Sequence, residues 1–222
     1  MRKIILGFVG LLCLVGPIFI VRFILKSFTI KDIVVSGDAA IVQVNEKQFV
    51  GNTLLFPALS VIKQIQDDNP LVKSIDIKKH FPSTLELIVH KRQPIAQLKT
   101  PTAIVGIDED AVVTDVVGNI DAPVIEIDVP LVRMGQTIRD ESVKQSVKVV
   151  AGTVTFLNVL QITKNDSLSI RVITKQSSIF IPQNKDIRPI LDTLQTLMSG
   201  FRIKGLIPKT IDLRFDKPVV QF

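Results

Sequence analysis

The chain has 222 residues, a formal net charge of +6 and 46% hydrophobic residues. That length suits one membrane anchor and two small folded units. The single cysteine excludes a disulfide within the chain, and the absence of Trp and Tyr argues against a stacking surface for nucleic-acid bases.

The first predicted element is an apolar helix near the amino terminus. Residues 4–21 contain only apolar residues, glycine, Cys13 and Pro17. A helix of roughly 18–20 residues is ~27–30 Å long, about the thickness of a bilayer's hydrocarbon core. A soluble helix would have a polar face, and this segment has none. The sequence therefore predicts one transmembrane helix over residues 4–25, preceded by a short cytoplasmic tail, residues 1–3.

Much of the positive charge lies beside this predicted helix. Arg2, Lys3, Arg22 and Lys26 flank it, and the first 26 residues contain no acidic residue. Removing those four from the 27 basic residues leaves 23 against 21 acidic ones. The high isoelectric point therefore reflects membrane flanks more than a basic binding face, and we expect no nucleic-acid partner.

Two alternatives for the same segment are a cleaved signal peptide and a lipoprotein attachment site at Cys13. Residues 18–28 are mostly bulky and lack the small-x-small triplet of a cleavage site. Apolar residues both precede and follow Cys13, as expected for a buried apolar thiol. We therefore expect an uncleaved anchor, whose orientation the flanking charges leave open.

Residues 28–98 predict a small α+β unit in the order β-α-α-β-β. A β-rich run over residues 28–36 is followed by two short helical patterns, the second of which stops at Asn69-Pro70. Two strands of alternating apolar and polar residues come next, joined by a turn over residues 81–84.

Residues 99–222 predict a mixed α+β domain rich in β-strands. Short β runs punctuated by proline and glycine come first, and an apolar face over residues 143–157 then indicates a helix. A hairpin follows, and a second helix is predicted over residues 185–199, with Gly200 at its end. The last two β runs are residues 210–215 and 219–222.

No catalytic or metal-binding motif is evident. His80 and His90 flank the predicted hairpin, and no third histidine or cysteine outside the anchor completes a zinc site. The acidic residues 140–141 lie where a helix should start, and residues 108–110 lack the ligand spacing of a calcium loop. Nucleophile-elbow, phosphate-loop and His-Glu-x-x-His motifs are missing. We therefore predict no enzymatic activity, no catalytic, cofactor-binding or metal-binding residues, and no small-molecule substrate.

Motifs spread along the chain resemble those of one bacterial family. Residues 28–37 look like the opening of a POTRA domain, and residues 70–85 resemble the hairpin "P-x-V … F-P-x-T-L". Residues 91–96 resemble "R-x-P-(V/I)-A", and residues 210–215 resemble a closing "(I/V)-D-(L/M)-R-(Y/F)" strand. Together and in this order, these motifs resemble those of the bacterial cell-division family FtsQ, which is called DivIB in Gram-positive bacteria. Ala111 is a departure, since the family often has glycine there.

The resemblance implies a POTRA domain over residues 28–98, a β domain over residues 99–222 and a non-enzymatic divisome protein. Members of the family cross the cytoplasmic (inner) membrane once, with the amino terminus in the cytoplasm and the bulk of the chain in the periplasm. They act at the division septum, where they link early and late division proteins. They bind FtsB, FtsL and other divisome membrane proteins and help to control septal peptidoglycan synthesis.

A partner-binding site at the carboxyl end is also implied by the resemblance. In the family, the last strand of the β domain pairs with an incoming strand of FtsB. Unpaired N–H and C=O groups make an edge strand suitable for such pairing, and Pro218 is compatible with an edge. Its phase predicts outward backbone groups at Val220 and Phe222. The implied partner-binding residues are Arg214, Phe215, Val219, Val220, Gln221 and Phe222.

Three alternatives stay open. The final strands could be a plain hairpin without a partner. The POTRA unit could be a docking module for outer-membrane protein assembly or secretion, and its depletion would then reduce outer-membrane proteins and not block constriction. The chain could also be an envelope hydrolase whose catalytic side chains converge only in the fold.

Overall fold

The computed structural model describes residues 22–23, 26–56, 59–116, 121–183 and 185–222. Their fold is mixed α+β and rich in β-sheet. Contacts divide the chain into two compact units, Met1–Lys91 and Arg92–Phe222. The sequence predicts the domain boundary after residue 98, whereas β4 (Ala96–Lys99) lies in the second unit.

The structure contradicts the prediction of a transmembrane helix over residues 4–25. No helix among the described residues is both long and apolar enough to cross a bilayer. Most of the predicted span and the predicted tail, residues 1–21, 24 and 25, lie outside those residues. The longest described helix has 17 residues, about 25 Å, and only one of its faces is apolar. The fold-class prediction is therefore wrong in its transmembrane part, and the single-pass inner-membrane localisation is corrected with it.

The described residues between 28 and 91 of the first unit contain a three-stranded sheet and one α-helix. Its strands are β1 (Asp32–Gly37), β2 (Val72–His80) and β3 (Thr84–Lys91). The order is β1-β3-β2, with β1 parallel and β2 antiparallel to the central β3. The helix α1 (Leu59–Asp68) precedes β2. A 3-10 turn at Glu46–Gln48 stands where the sequence predicts the first helix.

Alternation along β3 decides which face of this sheet is buried. Leu85, Leu87 and Val89 are at most 1% exposed and pack with the apolar face of α1. Glu86, which lies between them, and His90, which follows them, point to the opposite face. The predicted alternating hairpin is thus confirmed in β2 and β3.

The second unit contains a nine-stranded sheet in the order β12-β11-β10-β9-β8-β7-β4-β5-β6. Neighbours are antiparallel except for the parallel pairs β4–β7, β7–β8 and β10–β11. The strands after β4 are β5 (Ile104–Ile107), β6 (Val113–Val116), β7 (Val124–Glu126), β8 (Val159–Asp166), β9 (Ser169–Thr174), β10 (Ser178–Pro182), β11 (Thr210–Asp212) and β12 (Val219–Gln221).

Two helices, α2 (Glu141–Thr153) and α3 (Ile187–Ile203), share the core of this unit with the sheet. The Asp140 side chain caps α2 by accepting hydrogen bonds from two backbone amides of its first turn. Valine has a low helix propensity, but burial of the α2 valines against the sheet offsets that cost. The helix α3 continues through Gly200, where the sequence predicts its end, to Ile203.

One apolar row crosses the larger sheet from strand to strand. Its members are paired in register in β4, β7, β8, β9, β10, β11 and β12: Leu98, Ile125, Ile162, Val172, Ile179, Ile211 and Val220. The first six are fully buried in the core that includes α2 and α3, whereas Val220 is only partly buried. The row therefore reaches the edge of the sheet at Val220.

A substitution at Gly37 tests the end of β1. Gly37 has φ +74°, and a Cβ atom there would lie 2.4 Å from the Val89 carbonyl oxygen of the central strand. Because the backbone of β3 cannot easily move away from the added Cβ atom, we expect Gly37→Ala to lower the free energy of unfolding by about 2–4 kcal/mol. Urea denaturation followed by circular dichroism measures this loss.

The matched control for this prediction is Gly205→Ala. Gly205 also has positive φ, +66°, but a Cβ atom there would meet nothing within 4 Å. We expect this control to lose only about 1 kcal/mol, the conformational cost of an L-residue in the left-handed region. Equal losses in the two variants would contradict a steric role for the Val89 carbonyl.

Candidate functional site

The two edge strands of the nine-stranded sheet differ in how their backbone groups are satisfied. At β6, the Val113 amide donates to the Gln136 carbonyl (2.9 Å), and the Gly135 amide donates back to the Val113 carbonyl (2.8 Å). The Ile138 amide donates to the Ala111 carbonyl just before the strand (2.8 Å). The segment over residues 135–138 therefore pairs with the start of β6, at Val113.

The opposite edge, β12, has backbone groups that face outward. Its Gln221 carbonyl accepts a hydrogen bond from the Lys209 amide (2.8 Å), so Gln221 faces toward β11. Because the backbone groups of successive residues in an antiparallel strand point to opposite sides, those of Val220 face away from β11. No described strand lies beyond β12.

The side chains of β12 are partly apolar and incompletely buried. Val219 is 47% exposed, and Val220 packs on the core below the sheet. The Phe222 ring is 55% exposed and contacts the Phe201 ring of α3 edge to face, with centroids 5.6 Å apart. An incoming strand would therefore meet both unpaired backbone and apolar side chains.

Arg214 and Phe215 lie in the turn between β11 and β12. The Arg214 guanidinium donates to both carboxylate oxygens of Asp212, at 2.9 and 2.6 Å, and lies over the Phe180 ring at 5.1 Å. Its hydrogen bonds hold the pKa of Asp212 below the ordinary value. Phe215 is 58% exposed. Four of the six sequence-predicted residues, Val219 to Phe222, thus lie in or directly after the edge strand, and Arg214 and Phe215 lie in the turn before it; their role in binding stays a prediction.

Both histidines have carboxylate partners that sequence reasoning missed. His80 Nε2 lies 2.6 Å from Glu86 Oε2, and His90 Nε2 lies 3.0 Å from Asp76 Oδ2. The partners lie on neighbouring positions of β2 and β3, so only the strand register brings them together. No group of three or more potential metal ligands occurs in the part of the chain that the structure describes.

A buried carboxylate, Asp108, organises the turn after β5. It is 2% exposed, binds Arg92 Nη1 at 2.5 Å and accepts hydrogen bonds from the amides of Asp110 and Val112. Ala111 in this turn has φ +59°, the left-handed region that favours glycine. Glycine, which adopts this conformation without steric cost, would suit the position. The cluster organises the turn ahead of β6.

No protein-family model matches the chain, and no curated protein shows significant similarity to it. The similarity to FtsQ and DivIB therefore rests on the motifs in the sequence, and the contrast between the two sheet edges is the structural basis for a functional proposal.

Glu86 gives a prediction for acid stability. The hydrogen bond with His80, followed by one from Ser36, holds the pKa of Glu86 below its ordinary value. A carboxyl group whose pKa is lowered on folding stabilises the fold above its unfolded pKa, and that contribution is lost as the pH falls from there through the lowered pKa of the folded state. We expect Glu86→Gln to be less stable at neutral pH and to lose less stability on acidification, measured by urea midpoints between about pH 3 and 7.

Asp67→Asn is the control, because Asp67 is an exposed carboxylate on α1 of the same unit. If Glu86→Gln and the unaltered protein lose the same stability on acidification, the His80–Glu86 pair does not contribute to the acid dependence of stability.

Proposed function

We propose that this chain is a non-enzymatic binding protein that accepts an extended partner segment as an additional strand on β12. The observation that carries the proposal is the difference between the two sheet edges. Segment 135–138 pairs with the β6 edge, whereas the Val220 backbone faces away from β11 beside exposed apolar side chains. Such an edge is suited to β-augmentation.

Addition of a strand on β12 would be stabilised by two kinds of contact. Each backbone hydrogen bond contributes only about 0.5–1.5 kcal/mol net, because it replaces a bond to water. Side chains of the added strand that cover Val219 and Phe222 add apolar burial, at about 25 cal/mol per Å². Together these terms reach several kcal/mol, and each 1.4 kcal/mol changes the dissociation constant about tenfold.

The sequence motifs supply the biological context of the proposal. Residues 28–37, 70–85 and 210–215 resemble FtsQ and DivIB, so we propose a divisome role in which FtsB and FtsL are the partners. In that role the chain links early and late division proteins and helps to control septal peptidoglycan synthesis. The partner strand on β12 would come from FtsB.

Deleting residues 219–222 is the direct test. The deletion removes the edge strand, and we expect a purified FtsB segment to bind at least about 100-fold more weakly because both the backbone bonds and the apolar contacts are lost. Isothermal titration calorimetry measures the affinity, and circular dichroism checks that the fold is retained. If the folded, truncated protein binds FtsB as tightly as the full chain, the edge-strand mechanism is wrong.

A pair of substitutions at Val220 separates backbone pairing from side-chain packing. Val220→Pro removes the outward-facing amide, and Val220→Ala keeps it while shortening the same side chain. We expect the proline variant to bind FtsB about tenfold more weakly than the alanine variant. Equal binding by the two variants would contradict a hydrogen bond at this amide.

A further inference from the structure

Exposed aromatic side chains lie at the end of the first sheet where β2 turns into β3. Phe81 is in that turn and is 60% exposed, and Phe56, shortly before α1, is 77% exposed. The Phe81 ring contacts the Phe28 ring edge to face, with the ring centroids 5.5 Å apart. We call Phe28, Phe56 and Phe81 the aromatic tip.

Hydrogen bonds join the chain segments that carry these rings. Lys79 Nζ donates to the Leu55 carbonyl (2.8 Å), which connects the end of β2 to the residue before Phe56. The Leu54 amide donates to the Phe28 carbonyl (2.6 Å). The three rings of the aromatic tip therefore lie on segments that are bonded to one another at one end of the first unit.

Lysines surround the aromatic tip. The Lys31 amide donates to the Ser83 carbonyl in the turn between β2 and β3 (2.9 Å), and the Lys31 side chain is exposed. Lys78 and Lys79 are exposed near the end of β2. Lys26, which is also exposed, lies two residues before the first ring of the tip. Four ammonium groups are thus available near the exposed rings.

Carboxylates are fewer at this end of the sheet. Asp32 begins β1, and Glu86 is paired with His80 (2.6 Å). Another carboxylate of the unit, Asp38, lies at the opposite end of β3, where it accepts a hydrogen bond from the Lys91 amide (2.9 Å). The four lysines around the aromatic tip therefore outnumber the two carboxylates beside it, and an anionic surface would complement the tip.

Exposed rings within a basic surface match the interface of a bilayer that has anionic headgroups. Aromatic side chains gain free energy when they leave water for the boundary between headgroups and acyl chains. Lysine side chains lay their alkyl stems along apolar surface and keep the ammonium group in the polar region, where anionic lipids attract it. Because Phe81 lies at a hairpin turn, a deformable lipid surface can cover its ring without a preformed groove.

We propose that the first unit contacts the surface of a membrane that contains anionic phospholipids, through the aromatic tip and its lysines. The Phe56 and Phe81 rings enter the headgroup region, and Lys31 and Lys78 pair with lipid phosphate groups. The contact is peripheral, because it requires no helix that crosses the bilayer. It is also independent of the strand proposed to bind at β12.

Tryptophan fluorescence tests the inference in the full chain, because the sequence contains no Trp and one substitution gives a single reporter. We expect vesicles of brominated phosphatidylglycerol and phosphatidylcholine to quench Phe81→Trp by at least about half, and vesicles of brominated phosphatidylcholine alone to quench it much less. The matched control is Val154→Trp in the second unit, where the side chain is 77% exposed, and it should stay unquenched. Phe56→Trp is a second reporter if the first variant does not fold.

A second pair of variants tests the role of charge. In the Phe81→Trp background, Lys31→Gln with Lys78→Gln removes two lysines beside the tip, and Lys175→Gln with Lys204→Gln removes two exposed lysines of the second unit. We expect the tip variant to need about tenfold more anionic lipid for half-maximal quenching, and the control variant to stay within about twofold.

The contradicting outcomes are distinct from those for the proposed function, since none involves FtsB. The inference is overturned if anionic vesicles quench neither tip reporter, if uncharged vesicles quench them equally, or if Val154→Trp is quenched to the same degree. Polyglutamate without vesicles gives a further arm. If it shifts the emission of Phe81→Trp while anionic vesicles do not, the tip binds an acidic protein segment, which also overturns the inference.

Discussion

Every open β-sheet ends in two strands whose outer N–H and C=O groups need partners, and water or another chain must supply them if the protein does not. In the nine-stranded sheet, the segment over residues 135–138 supplies partners for β6. On β12, the outward groups of Val220 have no described strand beside them. The two edges therefore differ at these positions: Val113 of β6 is paired with the segment over residues 135–138, whereas the backbone groups of Val220 face away from β11.

The edge at β12 has apolar side chains as well as exposed backbone groups. The apolar row that holds the strands to α2 and α3 runs without interruption to Val220, where its burial becomes partial. The same forces that stabilise the core therefore favour a further strand with an apolar residue in the next position. Arg214, fixed by Asp212 and stacked on Phe180, rigidifies the turn that presents β12.

Local patterns in the sequence predict much of this fold but not its pairing. The period-two alternation of β3 and the acidic start of α2 are local signals, and both are confirmed. The strand β8 was missed, because its polar residues give no alternation and its burial comes from neighbours distant in sequence. The predicted transmembrane helix was wrong for the described residues, whose longest helix is amphipathic.

Contacts between residues that are distant in sequence also determine which features of the candidate site could be predicted. The final β run over residues 219–222 was predictable, and its edge position agrees with the phase of Pro218. That residues 135–138 pair with the start of β6 could not be predicted, because the two segments pair without any local signal. The carboxylate partners of His80 and His90 depend in the same way on strand register.

Amide hydrogen exchange at the two edges is the most direct measurement of the asymmetry between them. In the free protein we expect the outward amide of Val220 to exchange quickly and the paired amide of Val113 to exchange slowly. Addition of a saturating FtsB segment should slow exchange at Val220 and leave Val113 unchanged. Slow exchange at Val220 in the free protein, or no protection when FtsB is bound, would contradict an open edge that binds its partner as a strand.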